Sequence, residues 1–102
     1  HAATGRAQGQ IPQARPRGMS LIFSDQAWED YQFWLETDKK AVRRIHELLK
    51  DIKRNPHNGI GKPEPLRHAL AGWWSRRIDQ EHRIVYRVTE RGVELAQLRY
   101  HY

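Results

Sequence analysis

The clearest pattern along the chain lies between Gly72 and Val88, GWWSRRIDQEHRIVYRV. From His82 to Val88, Arg83, Val85 and Arg87 alternate with Ile84, Tyr86 and Val88. That period of two belongs to a strand with one face on a core and the other toward solvent. Trp73 to Ile78 mixes aromatics with Ser75, Arg76 and Arg77, and Asp79 to Glu81 separates the two halves. The stretch therefore predicts a hairpin with apolar side chains on one face and arginines on the other, a face suited to phosphate.

Upstream, Met19 to Phe23 reads as a short apolar strand, and Ser24-Asp25 as a helix start. Through Glu36, the residues Ala27, Trp28, Tyr31, Trp34 and Leu35 recur at helical spacing. We read this aromatic stripe as core packing rather than base stacking. Thr37-Asp38 starts a second helix, with Val42, Ile45, Leu48, Leu49 and Ile52 on the apolar face and Lys39, Lys40, Arg43, Arg44, Lys50, Lys53 and Arg54 around the rest. Its cations are either solvated or hold a nucleic acid backbone or an acidic partner.

Asn55 to Pro65, NPHNGIGKPEP, is a loop by its three prolines and two glycines. Leu66 to Leu70 predicts a first sheet strand, Ala71-Gly72 a turn, Thr89 to Gly92 another turn, and Val93 to Tyr102 a final strand. Alternation in that last strand puts Ala96, Leu98 and Tyr100 toward the helices with Ile84 and Tyr86. Gln97, Arg99 and His101 then share the open face with Arg83. The expected architecture is α+β: an N-terminal strand, then a two-helix hairpin packed on one face of a twisted, mainly antiparallel sheet.

The length, 102 residues, fits one domain. Residues 1–18 hold Gly, Pro, Gln, Ala and Arg with hardly any large apolar side chain, and read as an expression-tag or disordered leader before a domain at 19–102. The formal net charge is +6; without Arg6, Arg15 and Arg17 the domain keeps 15 cations against 12 carboxylates, a moderate basic excess. No cysteine is present, so disulfide frameworks and thiolate zinc sites are excluded. No apolar run approaches the roughly 20 residues that cross a bilayer. We expect a cytoplasmic protein without membrane contact.

On the open face the pattern collects Arg77 or Arg76, Arg83, Arg87, Arg99 and His101, with Tyr102 following, while Glu64 sits between two prolines in the loop that feeds the sheet. A carboxylate, arginines, a histidine and a tyrosine suit cleavage of RNA by its own 2′-hydroxyl. That reaction needs a base, cations for the charge on the phosphorane, and an acid for the departing 5′-oxygen. Glu64 is the candidate base, Arg83 the main phosphate clamp with Arg77 assisting and Arg99 as a further phosphate-binding arginine, and His101 the acid. Because the nucleophile is part of the substrate, no metal or cofactor is required. His57, His68 and His82 lack metal-ligand spacing. Each position also has an inert reading: Glu64 as a loop surface residue, Arg83 and Arg99 as solvated strand residues, His101 as a terminal histidine without a role. A non-catalytic basic module that occupies RNA or ribosome, or a structural partner of an acidic protein, fits the same composition.

From Met19 onward the chain resembles the YoeB branch of the RelE-type toxins of bacterial toxin-antitoxin pairs. The likeness rests on ETDKKAV at 36–42, GKPEPLRH at 61–68, GWWSRRID at 72–79, EHRIVYRV at 81–88 and the terminal RYHY, in family order and spacing. It implies a RelE-like microbial ribonuclease fold. It also implies a ribosome-dependent endoribonuclease that cuts messenger RNA in the A site, contacting ribosomal RNA and inhibiting translation, and that a YefM-type antitoxin neutralises. A homodimer is a further possibility of the family, and operator DNA would be met only through the antitoxin complex. The resemblance places the catalytic carboxylate on Glu64, the phosphate-binding arginine on Arg83, the catalytic histidine and tyrosine on His101 and Tyr102, and a further active-site arginine on Arg77. Residues 1–18 are the one departure from the family pattern.

Overall fold

The computed structural model describes residues 19–100; the expected leader at 1–18 and the site residues His101 and Tyr102 lie outside the described residues. The chain forms β1 (Leu21–Phe23), α1 (Asp25–Thr37), α2 (Lys39–Arg54), β2 (Glu64–Pro65), β3 (Trp74–Arg77), β4 (Arg83–Thr89) and β5 (Gly92–Gln97). The strands build one sheet in the order β1-β5-β4-β3-β2, parallel at β1·β5 and antiparallel elsewhere. The α+β architecture thus matches expectation.

Both helix starts follow their capping chemistry. The Ser24 side chain accepts from the Ala27 amide, and the Asp38 carboxylate accepts from the amides of Lys40 and Ala41. The apolar face of α2, with Ile45, Leu48 and Ile52 fully buried, meets Ile84, Tyr86, Val93, Leu95 and Leu98 from the sheet in one core. The α1 stripe is divided: Ala27 and Trp34 are buried, whereas Trp28 and Leu35 remain 48% and 47% exposed.

Two expected strands are shorter than the pattern implied. Leu66 to Leu70 is not a strand: pairing stops after Pro65, and His68–Leu70 forms a 3-10 turn, with His68 at φ +57. One further bond, from the Leu66 amide to the Trp73 carbonyl at 2.9 Å, precedes that turn, and the turn then carries the chain out of the ladder. The last strand ends at Gln97 instead of running to Tyr102. Val93 and Leu95 face the core at a spacing of two, but the next core residue is Leu98, three further on. The alternation breaks there, and a register shift at Val85/Tyr86 accompanies it.

Candidate active site

Strand register decides which charged groups share a face. Ser75 lies opposite both Glu64 and Val85, and Arg77 lies opposite Arg83. Directly paired residues point to the same side, so Glu64, Ser75, Arg77, Arg83 and Val85 share the face away from the helices. Ser75 and Val85 form its floor, only 1% and 2% exposed. From strand spacing, the backbones of Glu64 and Arg83 are about 12 Å apart, a gap their side chains can narrow around a phosphate.

The choice left open between Arg76 and Arg77 is settled by the pleat. Arg76 points to the helix side and is fully buried; Arg77 is exposed on the open face. The Arg76 Nη1 donates to Asp51 Oδ2 at 2.6 Å and to the Ile60 carbonyl at 3.1 Å, while Nη2 donates to the carbonyls of Asn55 and Asn58. Its Nε donates to the Tyr86 hydroxyl, which itself donates to the Pro56 carbonyl. These acceptors belong to α2 and the loop before Glu64. The Arg77 amide also donates to the Gly61 carbonyl at 2.7 Å. The loop that presents Glu64 is therefore fixed to β3 by the Arg76 side chain on the helix face and by a backbone bond along the strand edge. The Arg76 guanidinium, the Ile60 amide and Arg54 together hold the Asp51 carboxyl at about 2, below the ordinary 3.8. Burial pushes the Tyr86 hydroxyl upward.

Arg83 is only 9% exposed. Its Nη1 is folded onto the carbonyls of Asp79, Gln80 and His82 at 3.1–3.2 Å, which fixes the head without neutralising it. The turn beneath is closed by the Asp79 carboxylate, which accepts from the amides of Glu81 and His82. Among the described residues, no ion-pair partner lies near Glu64, Arg77 or Arg83. The other sheet arginine differs. Arg87 pairs with Glu94 at 2.8 Å and lies over the Trp73 ring, and this cation holds the Glu94 carboxyl below its usual range. A groove of about 610 Å³ starts at Glu64 and is lined further by Leu66, Arg67 and His68, within the size range of small-ligand clefts.

Arg99 is not on the open face. Arg99 lies beyond the end of β5, next to the turn at Tyr100, and its guanidinium lies over Phe33 of α1, 3.4 Å from that ring centroid and 4.6 Å from that of Tyr100. Sequence reasoning also passed over Asp30 and His82. Asp30, buried on α1, accepts from the Leu98 amide at 2.9 Å, and His82 Nδ1 accepts from the Tyr100 amide at 2.8 Å. One signal for Asp30 was available: it lies three and four residues from Ala27 and Trp34, on the core side of the helix. Among the described residues, no cluster of His, Asp and Glu is arranged to hold a metal. No helix there is long and apolar enough to cross a membrane.

The comparisons with known proteins agree with this arrangement. The model of a family described as YoeB-like toxins of bacterial type II toxin-antitoxin systems matches residues 23–102. Toxin YoeB of Escherichia coli strain K12 is 56% identical over 84 residues, covering 82% of this chain and all of that protein. Among solved structures, the YoeB/ParE toxin from Agrobacterium tumefaciens superposes with a TM-score of 0.80 at 49% identity, over 82% of this chain and 100% of the other. Chains of a YoeB-YefM complex and of a YoeB dimer, both from Staphylococcus aureus, give 0.77 and 0.78 at 48% and 49% identity, each over 82% of this chain and 98% of theirs. The sequence match extends over most of the chain and the sheet that carries Glu64, Arg77 and Arg83 recurs in these structures, so this chain belongs to the YoeB-like toxins of bacterial type II toxin-antitoxin systems.

Proposed function

We propose that this toxin is a ribosome-dependent, metal-independent endoribonuclease that cuts messenger RNA in the A site and so stops translation. The observation that carries the reading is the single sheet face holding Glu64, Arg77 and Arg83, all without an ionic partner among the described residues, while Arg76 and Arg87 are neutralised nearby. Charges of both signs without ionic partners on one sheet face suit a phosphate under attack better than a purely structural role.

In the reaction Glu64 takes the proton from the 2′-hydroxyl, whose oxygen forms a bond to the neighbouring phosphorus. Arg83 and Arg77 stabilise the charge on the phosphorane. The bond to the 5′-oxygen breaks as His101 gives that oxygen a proton, and Tyr102 completes the site, leaving a 2′,3′-cyclic phosphate. Arg99, stacked on Phe33, orders the chain before His101 and Tyr102 and adds a further cation for the substrate phosphate. The ribosomal RNA contact is assigned to the exposed cations of α2, Lys39, Lys40, Arg43, Lys50 and Lys53, none ion-paired among the described residues.

A YefM-type antitoxin is the proposed neutralising partner, laying an acidic segment over Arg77 and Arg83 or displacing the terminal residues. Homodimerisation, action in the cytoplasm, and contact with operator DNA only through the antitoxin complex belong to the same reading, as does a leader role for residues 1–18. The test is messenger cleavage on programmed ribosomes with chelator present, comparing wild type with Glu64→Gln, Arg83→Lys and His101→Gln. Cleavage by wild type with cyclic phosphate ends, lost in the variants, is expected. Translation arrest with intact messenger would instead establish a basic blocking module.

A further inference from the structure

The residue just before Arg83 has no part in the chemistry proposed above, yet it sits at the exit of the chain toward His101 and Tyr102. After β5 ends, residues 98–100 leave the sheet and are held one group at a time. The Leu98 amide donates to Asp30 Oδ2, and the Leu98 carbonyl accepts from Trp34 Nε1 at 2.8 Å. Gln97 Nε2 donates to the Arg99 carbonyl, and the Arg99 guanidinium is stacked on Phe33. Last, the Tyr100 amide donates to His82 Nδ1 at 2.8 Å, and the Tyr100 carbonyl accepts from the Arg83 amide at 3.1 Å. Tyr100 has φ +62, in the left-handed region that a residue with a Cβ avoids, so the surroundings must impose this turn.

His82 is well placed to impose it. Its amide is held by Asp79, its carbonyl accepts from the Ile78 amide, and its ring meets Trp34 edge-on with centroids 4.9 Å apart. To accept at Nδ1 the ring must carry its proton on Nε2, which faces Glu81 Oε1 at 3.6 Å.

We infer that His82 is a positioning residue for the last two residues of the chain: its Nδ1 holds the Arg99–Tyr100 peptide and so sets the Tyr100 carbonyl, from which the chain continues to His101, against the amide of Arg83. Two consecutive residues, His82 just before β4 and Arg83 at its start, then serve two ends of one site, His82 aligning the terminal acid and Arg83 holding the phosphate. The inference rests on the nuclease reading of His101 and Tyr102.

Three substitutions separate the acceptor from the ring. His82→Asn keeps an oxygen near the place of Nδ1, His82→Gln moves it toward Nε2, and His82→Phe keeps only the ring packing on Trp34. On programmed ribosomes, His82→Asn is expected to retain the wild-type kcat. His82→Phe and His82→Gln should lose kcat on the order of 10²-fold, with KM little changed, as misplaced reacting groups do. In the free protein the Tyr100 amide should exchange about tenfold faster in the Phe and Gln variants than in wild type or Asn, the effect of losing one net hydrogen bond. Should Phe unfold the domain, the Asn and Gln pair makes the same comparison. Loss of Tyr100 protection with full kcat overturns the positioning role alone. A wild type that cleaves no messenger overturns the nuclease reading and the positioning role together.

Discussion

Arg76 Nη1 and Asp51 Oδ2, 2.6 Å apart, join strand β3 to helix α2 through an ion pair whose guanidinium is fully buried. The same guanidinium binds three carbonyls of the loop between α2 and Glu64, so one side chain ties together the helix layer, the sheet and the segment that presents the proposed base. Asp51→Ala leaves this cation without its counter-charge and should cost about 3–5 kcal/mol in urea denaturation. Adding Arg76→Met should cost less than the sum of the two single effects, because both report one interaction. Additive losses would show that the pair is not coupled.

The same pair sets an acid limit. Asp51 has its folded value, about 2, below the ordinary 3.8, so its contribution to stability is complete above the ordinary value and is lost as pH falls from there toward about 2. Glu94, lowered by Arg87, acts in the same direction. The urea midpoint of wild type should fall across this window, and that of Asp51→Asn should fall less steeply. Parallel curves for the two proteins would assign the acid sensitivity elsewhere.

Gly92 opens β5 at φ +139, where a Cβ would collide with the Ser20 carbonyl oxygen. That oxygen accepts from the Val93 amide at 2.8 Å, at the start of the parallel β1·β5 pairing. Gly92→Ala should therefore destabilise the domain by about 1–3 kcal/mol and speed exchange of the Val93 amide. Unchanged exchange would mean that β1 shifts to accommodate the methyl group.

Substitution of Glu64 should lower activity alone, whereas substitution of Arg83 should lower activity and loosen the local structure together. Glu64 is exposed and unpaired among the described residues, so Glu64→Gln should shift stability by no more than about 0.5 kcal/mol while lowering cleavage about 10²- to 10⁴-fold. Arg83→Lys keeps the charge but loses the planar head that three turn carbonyls orient, and should both loosen the Asp79–His82 turn and reduce cleavage about 10²- to 10³-fold. Full activity in Arg83→Lys would reduce the arginine to a point charge.

The order of elements, both helix starts, the apolar stripe of α2 and the two-faced character of β4 were determined by the sequence itself. Each depends on neighbours within one or two turns of the chain, where capping and periodicity act. Tertiary structure decided what those local rules could not. The pleat of β3, pinned against β4, sent Arg76 to Asp51 and left Arg77 outside, although the two are adjacent and chemically alike. The register shift at Val85/Tyr86 put Val93 and Leu95 rather than Ala96 on the core side, and the end of β5 at Gln97 left Arg99 to lie over Phe33. Asp30 and His82 gained their roles only when α1 and the turn before β4 met the segment after β5, more than 60 residues on for Asp30 and 18 for His82. Those separations lie far outside any local period, and only packing brings the partners within hydrogen-bonding distance.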